Sequence, residues 1–467
     1  MMARLYCFLI IMLSAGPLGG RAAAAVRLPA LLSDGAVLQR GCPIPLWGTA
    51  AAGEKITVTF HGQRKEAEAD GSGLWRVVLE PEAASDMPSE LIVSGENIVR
   101  VADILVGDVW LCAGQSNMQL ELKKIRDAAK EIAAANHPSI RQFAIARKVS
   151  DEPLQDVSGT WKPCTPATAG EFSAVAYFFA RSLQEHIRVP VGLINCAWGG
   201  TTIEGWLDGA SGRLGSAAYT RVVTRWNTGA QDGRKFTPSG IHNAMVKPLY
   251  PAAILGVVWY QGESNARQLG EYAELFVEMI NRWREGFRQP RLPFYFVQLP
   301  GYNNKEDNTG MAWARLREAQ ATALALPATS MVVTIDLGEH DRIHPVKNKQ
   351  MIGWRLAAQA LVKTYGAQGE VSGPVFDGIE AEEGQGLRVK FTHATGLVLN
   401  GRGGFEVAGD DRIFHPAEAK VSGSDVIVTT RAVKKPLAVR YAWQNSPSAP
   451  LFNAAGFRSA GISPSHK

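Results

Sequence analysis

The stretch "GDVWLCAGQSNMQLEL" (residues 107–122) decides the fold, because it runs from an apolar strand into a helical segment with a serine at the junction. Residues 108–112 have the hydrophobic character of a strand that is buried on both faces. A glycine break follows, and helical spacing begins beyond Met118. Ser116 lies within that break. An uncharged serine at this point is compatible with a helix N-cap, a tight packing position or a nucleophile.

The same order of strand and helix recurs through residues 104–368. Apolar runs such as "PVGLINCAWGG", "AILGVVWYQGESN" and "TSMVVTIDLG" alternate with segments of helical periodicity such as "YAELFVEMINRWREGF". Repeated strand-helix units predict an α/β fold with a mainly parallel, doubly wound sheet. Ligands bind such sheets at the carboxyl ends of the strands, so we expect the functional site at that edge.

Short strand-like segments flank this region on both sides. Residues 26–103 include "KITVTFHG" and "ELIVSG", and residues 369–467 include "GLRVKFTHA" and "LAVRYAWQN". Turn residues separate these segments, which is typical of small antiparallel β domains. We therefore expect two such domains around the α/β domain, and a chain of 467 residues is long enough for all three.

The first 25 residues have the composition of a secretory signal peptide. Arg4 precedes an apolar run, and small residues follow up to Ala25. The apolar run is shorter than the roughly 20 residues that span a bilayer. We expect cleavage near Ala25, export to the periplasm or the medium, and no membrane association afterwards. An uncleaved anchor is the alternative.

The composition excludes some function classes. A content of 46% hydrophobic and 20% charged residues is that of a folded globular protein. The net charge of +5 comes without a Lys/Arg-rich run, so we expect no nucleic-acid partner. No Cys or His spacing indicates a metal site. Export permits disulfides, but spacing alone does not pair the four cysteines of the mature chain, which are Cys42, Cys112, Cys164 and Cys196.

Four motifs follow the strand-like runs and carry side chains that suit catalysis. They are "GQSNM" with Ser116, "NCAWGGTTIEGW" with Gly199 and Gly200, "WYQGESN" with Gln261, Glu263 and Asn265, and "EHDRIHP" with Asp341 and His344. The carboxyl ends of parallel strands share one edge of a sheet. We therefore expect all four motifs to lie together.

These residue types are the ones that ester hydrolysis by serine requires. Ser116 is the candidate nucleophile, His344 the base that takes its proton, and Asp341 the acid that orients the imidazole. The backbone N–H groups of Ser116 and of Gly199 or Gly200 are candidate donors to the oxyanion. Each residue also has a structural alternative, namely an N-cap, a solvated loop pair or a simple turn.

Other residues argue against a different hydrolase motif and against a different catalytic base. Met118 stands where the second glycine of G-x-S-x-G would be, which argues against the nucleophile elbow of the α/β-hydrolases. His340 and His242 are weaker candidates for the base, because neither has a carboxylate three residues earlier. His242 and the adjacent Asn243 in "SGIHNAMVKPLY" remain candidates for substrate binding.

Together the four motifs resemble the sialate O-acetylesterases, a branch of the SGNH hydrolases. "LSDGAVLQR" near the start and "VRYAWQNSPSAPLFNAAGF" near the end are also similar to this family, so the resemblance covers nearly the whole mature chain. It implies a three-layer α/β/α domain with accessory β modules and no cofactor. It also implies that Ser116 is the nucleophile, that Asp341 and His344 complete the triad, and that Gly199 or Gly200 contributes to the oxyanion hole.

The third motif departs from the wider superfamily. Many SGNH hydrolases have G-x-N-D there, with the asparagine as an oxyanion donor, whereas Ser264 occupies that position here. We therefore expect Gln261 to donate to the oxyanion, with Asn265 as the alternative. Glu263 is a candidate to support or replace Asp341.

The expected function is that of an exported serine esterase that removes O-acetyl groups from free or glycan-linked sialic acid through an acetyl-enzyme. Acetylated xylan or another glycan is the alternative substrate, and a non-catalytic carbohydrate-binding protein is the remote one. A sialate carboxylate suits an arginine, and Arg317 in "WARLREAQ" is the candidate. The oligomeric state stays open.

Overall fold

The computed structural model describes residues 25–209, 216–229, 236–266, 269–382, 386–401, 403–448 and 450–462. Apart from Ala25, the predicted signal peptide lies outside these residues. Within the described ranges, every helix is too short or too polar to cross a membrane.

The N-terminal region is a set of mainly antiparallel strands, as its short alternating segments predict. They are β1 (Val37–Gln39), β2 (Ile44–Thr49), β3 (Lys55–Phe60), β4 (Gln63–Glu68), β5 (Leu74–Leu79), β6 (Ser85–Ser94) and β7 (Ile98–Gly114). Strands β3, β4, β6 and the first part of β7 pair antiparallel, β2 pairs with β5, and β1 pairs parallel with β7.

Strand β7 continues from this region into the centre of the molecule. The predicted boundary at residue 103 falls inside it, where Asp103 has a φ of 58°. Buried residues on both sides of that point belong to the same hydrophobic core. The N-terminal β region and the α/β region are therefore joined through a shared strand as well as through packed side chains.

The central sheet is mainly parallel. Its further strands are β8 (His137–Ala144), β9 (Trp161–Cys164), β10 (Val191–Ala197), β11 (Gly256–Tyr260), β12 (Phe294–Val297) and β13 (Thr329–Val332). Their order across the sheet is β13-β12-β11-β7-β10-β8-β9, and only β9 runs antiparallel to its neighbour. All residues of β11 and β12 are buried, which explains their continuous apolar sequence.

Helices connect these strands and cover both faces of the sheet. They are α1 (Ser116–Gln119), α2 (Ala128–Ala134), α3 (Ala174–Ile187), α4 (Ala217–Asn227), α5 (Tyr272–Gly286), α6 (Ala312–Ala321) and α7 (Lys349–Lys363).

Alternate residues of β12 show how the faces are divided. Phe294 and Phe296 contact Phe276 of α5, whereas Tyr295 stacks on Trp110, which in turn meets α3. Successive side chains of a strand point to opposite faces, so α5 and α3 lie on opposite sides of the sheet. The predicted α/β class with three layers is confirmed.

The C-terminal region forms separate small antiparallel sheets, as predicted. Its strands are β14 (Val375–Glu382), β15 (Gly386–Thr392), β16 (Val398–Leu399), β17 (Phe405–Ala408), β18 (His415–Pro416), β19 (Glu418–Ser422), β20 (Asp425–Thr429), β21 (Ala438–Tyr441) and β22 (Leu451–Phe452). They enclose a second hydrophobic core. The four cysteines of the described residues are all free thiols.

Candidate active site

Three strands of the central sheet end at the same level. In the register of the sheet, Gly114 of β7 lies opposite Ala197 of β10 and Tyr260 of β11. The segments that follow therefore leave the sheet side by side. This register brings the motif of Ser116 next to the motifs that begin at residues 198 and 261.

Ser116 begins helix α1 after a tight turn. Gly114 has a φ of 137°, and a Cβ there would lie 2.2 Å from the carbonyl oxygen of Tyr260. Gln115 occupies the N-cap position without a side-chain cap, and its backbone N–H donates to the same Tyr260 carbonyl at 2.9 Å. Ser116 is thus the first helical residue instead of the cap, and its side chain is half-buried.

Gly199 packs directly against Ser116. A Cβ on Gly199 would lie 3.1 Å from the Cβ of Ser116, which leaves no room for a side chain without movement. The Gly199 amide donates to Oε1 of Gln119 at 2.7 Å. Gly200 has a φ of 79°, a conformation that favours glycine. The backbone of Gly199 therefore lies close to the serine.

The loop that carries His344 is tied to the serine turn through Asn117. The carboxamide of Asn117 donates to the carbonyl oxygen of Ile343 at 2.9 Å. This hydrogen bond joins the residue after Ser116 to the residue before His344. The two catalytic candidates are 228 positions apart in the sequence. The fold therefore places the segments that carry the two candidate catalytic residues side by side.

His344 is half-buried. Burial, and after it the positive charge of Lys349, lowers the pKa of His344 below its ordinary value. Asp341 lies on the same loop and is exposed. Among the described residues, no hydrogen bond joins the imidazole of His344 to Asp341 or to Ser116. The expected Asp341 contact is thus absent from this conformation, although catalytic hydrogen bonds often form only when substrate is bound.

Glu263 is a buried acid at the same edge. Its Oε1 accepts a hydrogen bond from Asn117, whereas its Oε2 has no hydrogen-bond partner among the described residues. Burial raises the pKa of the Glu263 carboxyl group. The side chain contacts the residue that follows the serine, so it supports the serine turn. In the part of the chain that the structure describes, it makes no hydrogen bond to His344.

Gln261 and Asn265 hold the chain together instead of presenting donors to a substrate. The amide of Gln261 is fully buried and donates to the Thr201 carbonyl at 3.1 Å and to the Asn265 side chain at 2.7 Å. Asn265 in turn donates to Glu204 at 3.2 Å. This arrangement does not favour the oxyanion role expected for Gln261 or Asn265, because their donors already have internal acceptors.

The three candidates for substrate binding are also engaged elsewhere. Arg317 is only 3% exposed, and its guanidinium donates to the backbone carbonyls of the C-terminal segment 442–445. His242 is fully buried against Tyr250, at 2.7 Å, and burial lowers its pKa to about 4. Asn243 donates to two backbone carbonyls. These bonds give all three residues structural roles.

Sequence reasoning missed Gln115, Asn117 and Lys349, which connect the motifs. Oε1 of Gln115 accepts from the amides of Gly262 and Ser264 at 3.2 and 3.3 Å, and Lys349 donates to Asn117. Gln115 and Asn117 lie inside the predicted motif of Ser116, and Lys349 lies four residues after the end of "EHDRIHP". Their proximity to the catalytic candidates was the available signal, but their partners cannot be read from spacing along the chain.

A family model described as carbohydrate esterase, sialic acid-specific acetylesterase, matches residues 106–362. The chain belongs to this family.

Individual members of the family and a solved structure agree with the match. Sialate O-acetylesterase of Homo sapiens is 32% identical over 385 residues, which cover 73% of this chain and 72% of the human protein. The Mus musculus enzyme is 29% identical over 470 residues and 86% of both chains. The crystal structure of a carbohydrate acetylesterase from Xanthomonas citri is 40% identical, with a TM-score of 0.86 over 94% of this chain and 99% of that one.

Membership of this carbohydrate esterase family establishes the class of reaction. The chain is a carboxylic ester hydrolase that acts on sugar esters, and the family implies an acetylated sugar as the substrate. The non-catalytic alternative is therefore not retained.

Proposed function

We propose that this esterase is an exported sialate O-acetylesterase in which Ser116 is the nucleophile and His344 the general base. One observation carries the assignment of the two residues, namely the hydrogen bond at 2.9 Å from Asn117 to the Ile343 carbonyl. It joins the turn of a half-buried serine to the loop of a half-buried histidine at the carboxyl edge of a parallel sheet, where such sheets bind ligands. The similarity to sialate O-acetylesterases supports the substrate.

The reaction begins when His344 takes the proton of Ser116 as the serine oxygen attacks the acetyl carbonyl carbon. A neutral imidazole is needed for this step, and the lowered pKa of His344 favours that form near neutral pH. The tetrahedral intermediate then collapses, the sugar oxygen leaves with a proton from the imidazolium, and acetyl-Ser116 remains. His344 then takes a proton from water as the water oxygen attacks the acetyl carbon. The bond to the serine oxygen breaks, the imidazolium returns the proton to Ser116, and acetate leaves.

The oxyanion of each tetrahedral intermediate needs donors that point at it before it forms. The N–H of Ser116 lies in the first turn of α1, where helical amides have no partner within the helix. Gly199 or Gly200 supplies a second N–H from the adjacent segment. For Gly199 to donate to the substrate, the side chain of Gln119 has to release its amide. Asp341 remains our proposed partner for the imidazolium in the substrate complex.

The assignment of Ser116 is tested with an aryl acetate. Ser116→Ala should lower kcat/KM by about 10⁴-fold or more, because no other group takes over the attack. Ser264→Ala is the matched control, since that serine follows the neighbouring strand and, within the described ranges, is hydrogen-bonded through its backbone amide and not through its hydroxyl. Near-normal turnover by the Ser116 variant in folded protein would contradict the proposal.

A second candidate substrate is a neutral acetylated glycan such as xylan. Two observations favour it: the related structure from Xanthomonas citri is described only as a carbohydrate acetylesterase, and Arg317 is unavailable to bind a sialate carboxylate. Rates of acetate release from O-acetylated sialic acid and from acetylated xylan decide between the two. A kcat/KM that is higher on xylan would replace the sialate proposal and leave the esterase mechanism unchanged.

Export is proposed from the sequence of the first 25 residues alone. N-terminal sequencing of the protein from cell fractions tests it. A mature chain that begins near residue 26 in the periplasm or medium is expected, whereas full-length protein in the cytoplasm would contradict export.

A further inference from the structure

Lys349 is a buried cation beside the site, and the proposed catalytic steps do not involve it. It lies at the start of α7 and is 1% exposed. Its ammonium donates to the side-chain oxygen of Asn117 and, at 3.4 Å, to the backbone oxygen of the same residue. The ammonium also lies 5.0 Å from the centre of the Tyr260 ring. Burying a charge is costly, so a residue in this position needs compensating interactions.

The hydrogen bonds around Asn117 have one consistent direction. An ammonium can only donate, whereas the Glu263 carboxylate and the Ile343 carbonyl can only accept. The Asn117 carboxamide therefore turns its oxygen to Lys349 and its NH₂ group to the two acceptors. If the carboxamide were turned over, its oxygen would face two other oxygens and both bonds would be lost. The cation and the acid together fix one orientation.

We propose that Lys349 and Glu263 are positioning residues that act through Asn117 to hold the His344 loop against the Ser116 turn. The inference rests on the proposed function. The bond from Asn117 to Ile343 spans the two segments, and Lys349 and Glu263 fix the carboxamide that makes it. Neither residue is required to touch the substrate.

The charge of Lys349 also acts on the pKa of His344, in addition to its effect on the position of Asn117. Among the described residues, the charged groups that interact with its ammonium are Glu263 and Glu339, and its charge lowers the pKa of His344. Burial lowers the pKa of Lys349 to about 7, so the ammonium is present through the acidic range where His344 titrates. Removal of the cation should therefore raise the pKa of His344.

The test measures kcat, KM and the pH profile of the purified full chain on an aryl acetate. Lys349→Met should lower kcat by about 10²-fold, because misplacement of a catalytic group by about 1 Å costs that much, while KM stays nearly constant. The acid limb of kcat/KM should move to higher pH. Lys363→Met, at the exposed end of the same helix, is the control and should change neither.

Two further variants separate positioning from charge and from folding. Asn117→Leu should lower kcat as much as Lys349→Met but move the acid limb less, because Lys349 is still present and keeps the opposite charges of Glu263 and Glu339. Their effects should not add in the double variant, since both act on the same hydrogen bond. Lys349→Met/Glu263→Gln removes both buried charges, so a folded protein is expected even if the single variant unfolds.

A kcat within about threefold of the parent for Lys349→Met, or additive losses with Asn117→Leu, would overturn the inference, given that aligned positioning is worth about 10²-fold. The same outcomes would leave the proposed function intact. An active Ser116→Ala variant would overturn the proposed function itself, so the two failures are distinguishable.

Discussion

Replacement of Arg317 by methionine separates its expected role in substrate binding from the role that the structure gives it. The guanidinium is almost completely buried between α6 and the C-terminal region. It donates to the carbonyl oxygens of Asn445 at 3.3 Å, Ala442 at 3.4 Å and Gln444. Burial lowers the pKa of Arg317 to about 9. Methionine fills part of the same volume but donates no hydrogen bond.

The magnitude follows from these bonds. A hydrogen bond with a charged donor contributes about 1.5–3 kcal/mol, and the two long bonds lie at the lower end of that range. The variant also leaves buried carbonyls without a donor. Because the variant no longer buries a charge, the cost of desolvating that charge disappears. This offsets part of the loss in unfolding free energy. We therefore expect Arg317→Met to lower the free energy of unfolding by about 3 kcal/mol.

The assay is equilibrium unfolding in urea, together with KM for an O-acetylated sialic acid. Arg315→Met on the exposed side of α6 is the matched control and should alter neither quantity. For Arg317→Met we expect the loss in unfolding free energy with KM unchanged under native conditions. An increase of about tenfold or more in KM, with unfolding unchanged, would restore the carboxylate-binding role and refute the structural one.

Two other predictions concern the serine and the histidine. Gly199→Ala places a Cβ 3.1 Å from the Cβ of Ser116, so a shift of a few tenths of an ångström should lower kcat by about five- to tenfold with little loss of stability. The control is Gly53→Ala, at a position with a φ of 79° and open space, which should cost about 1 kcal/mol of stability and leave kcat normal. A loss of stability without a loss of kcat in the Gly199 variant would contradict its packing against Ser116. In the parent protein the midpoint of the acid limb of kcat/KM should lie below pH 6.5, because burial and Lys349 lower the pKa of His344 and only the neutral imidazole accepts a proton. A midpoint above pH 6.5 in the pH–rate profile would show that another group titrates.

The sequence alone predicted the α/β class, the small antiparallel domains and the edge of the sheet at which the motifs meet. These features depend on local patterns. Continuous apolar runs reflect strands covered on both faces, and helical spacing reflects one buried stripe. The positions of Ser116 and Gly199 directly after strand-like runs predicted that they share one edge, because parallel strands end there together. His344 lies further from the end of its strand, and its segment is tied to this edge by the bond from Asn117 to Ile343.

The tertiary structure decided which of those residues are free to act. Gln261, Asn265 and Arg317 have the right chemistry for a donor or an anion ligand, but their hydrogen bonds go to the chain itself. Lys349 and Asn117, 232 positions apart, meet in a bond that no spacing reveals. A side chain's burial and hydrogen-bond partners depend on segments distant in sequence, so residue type predicts what a group can do, and only the fold determines whether it is available to do it.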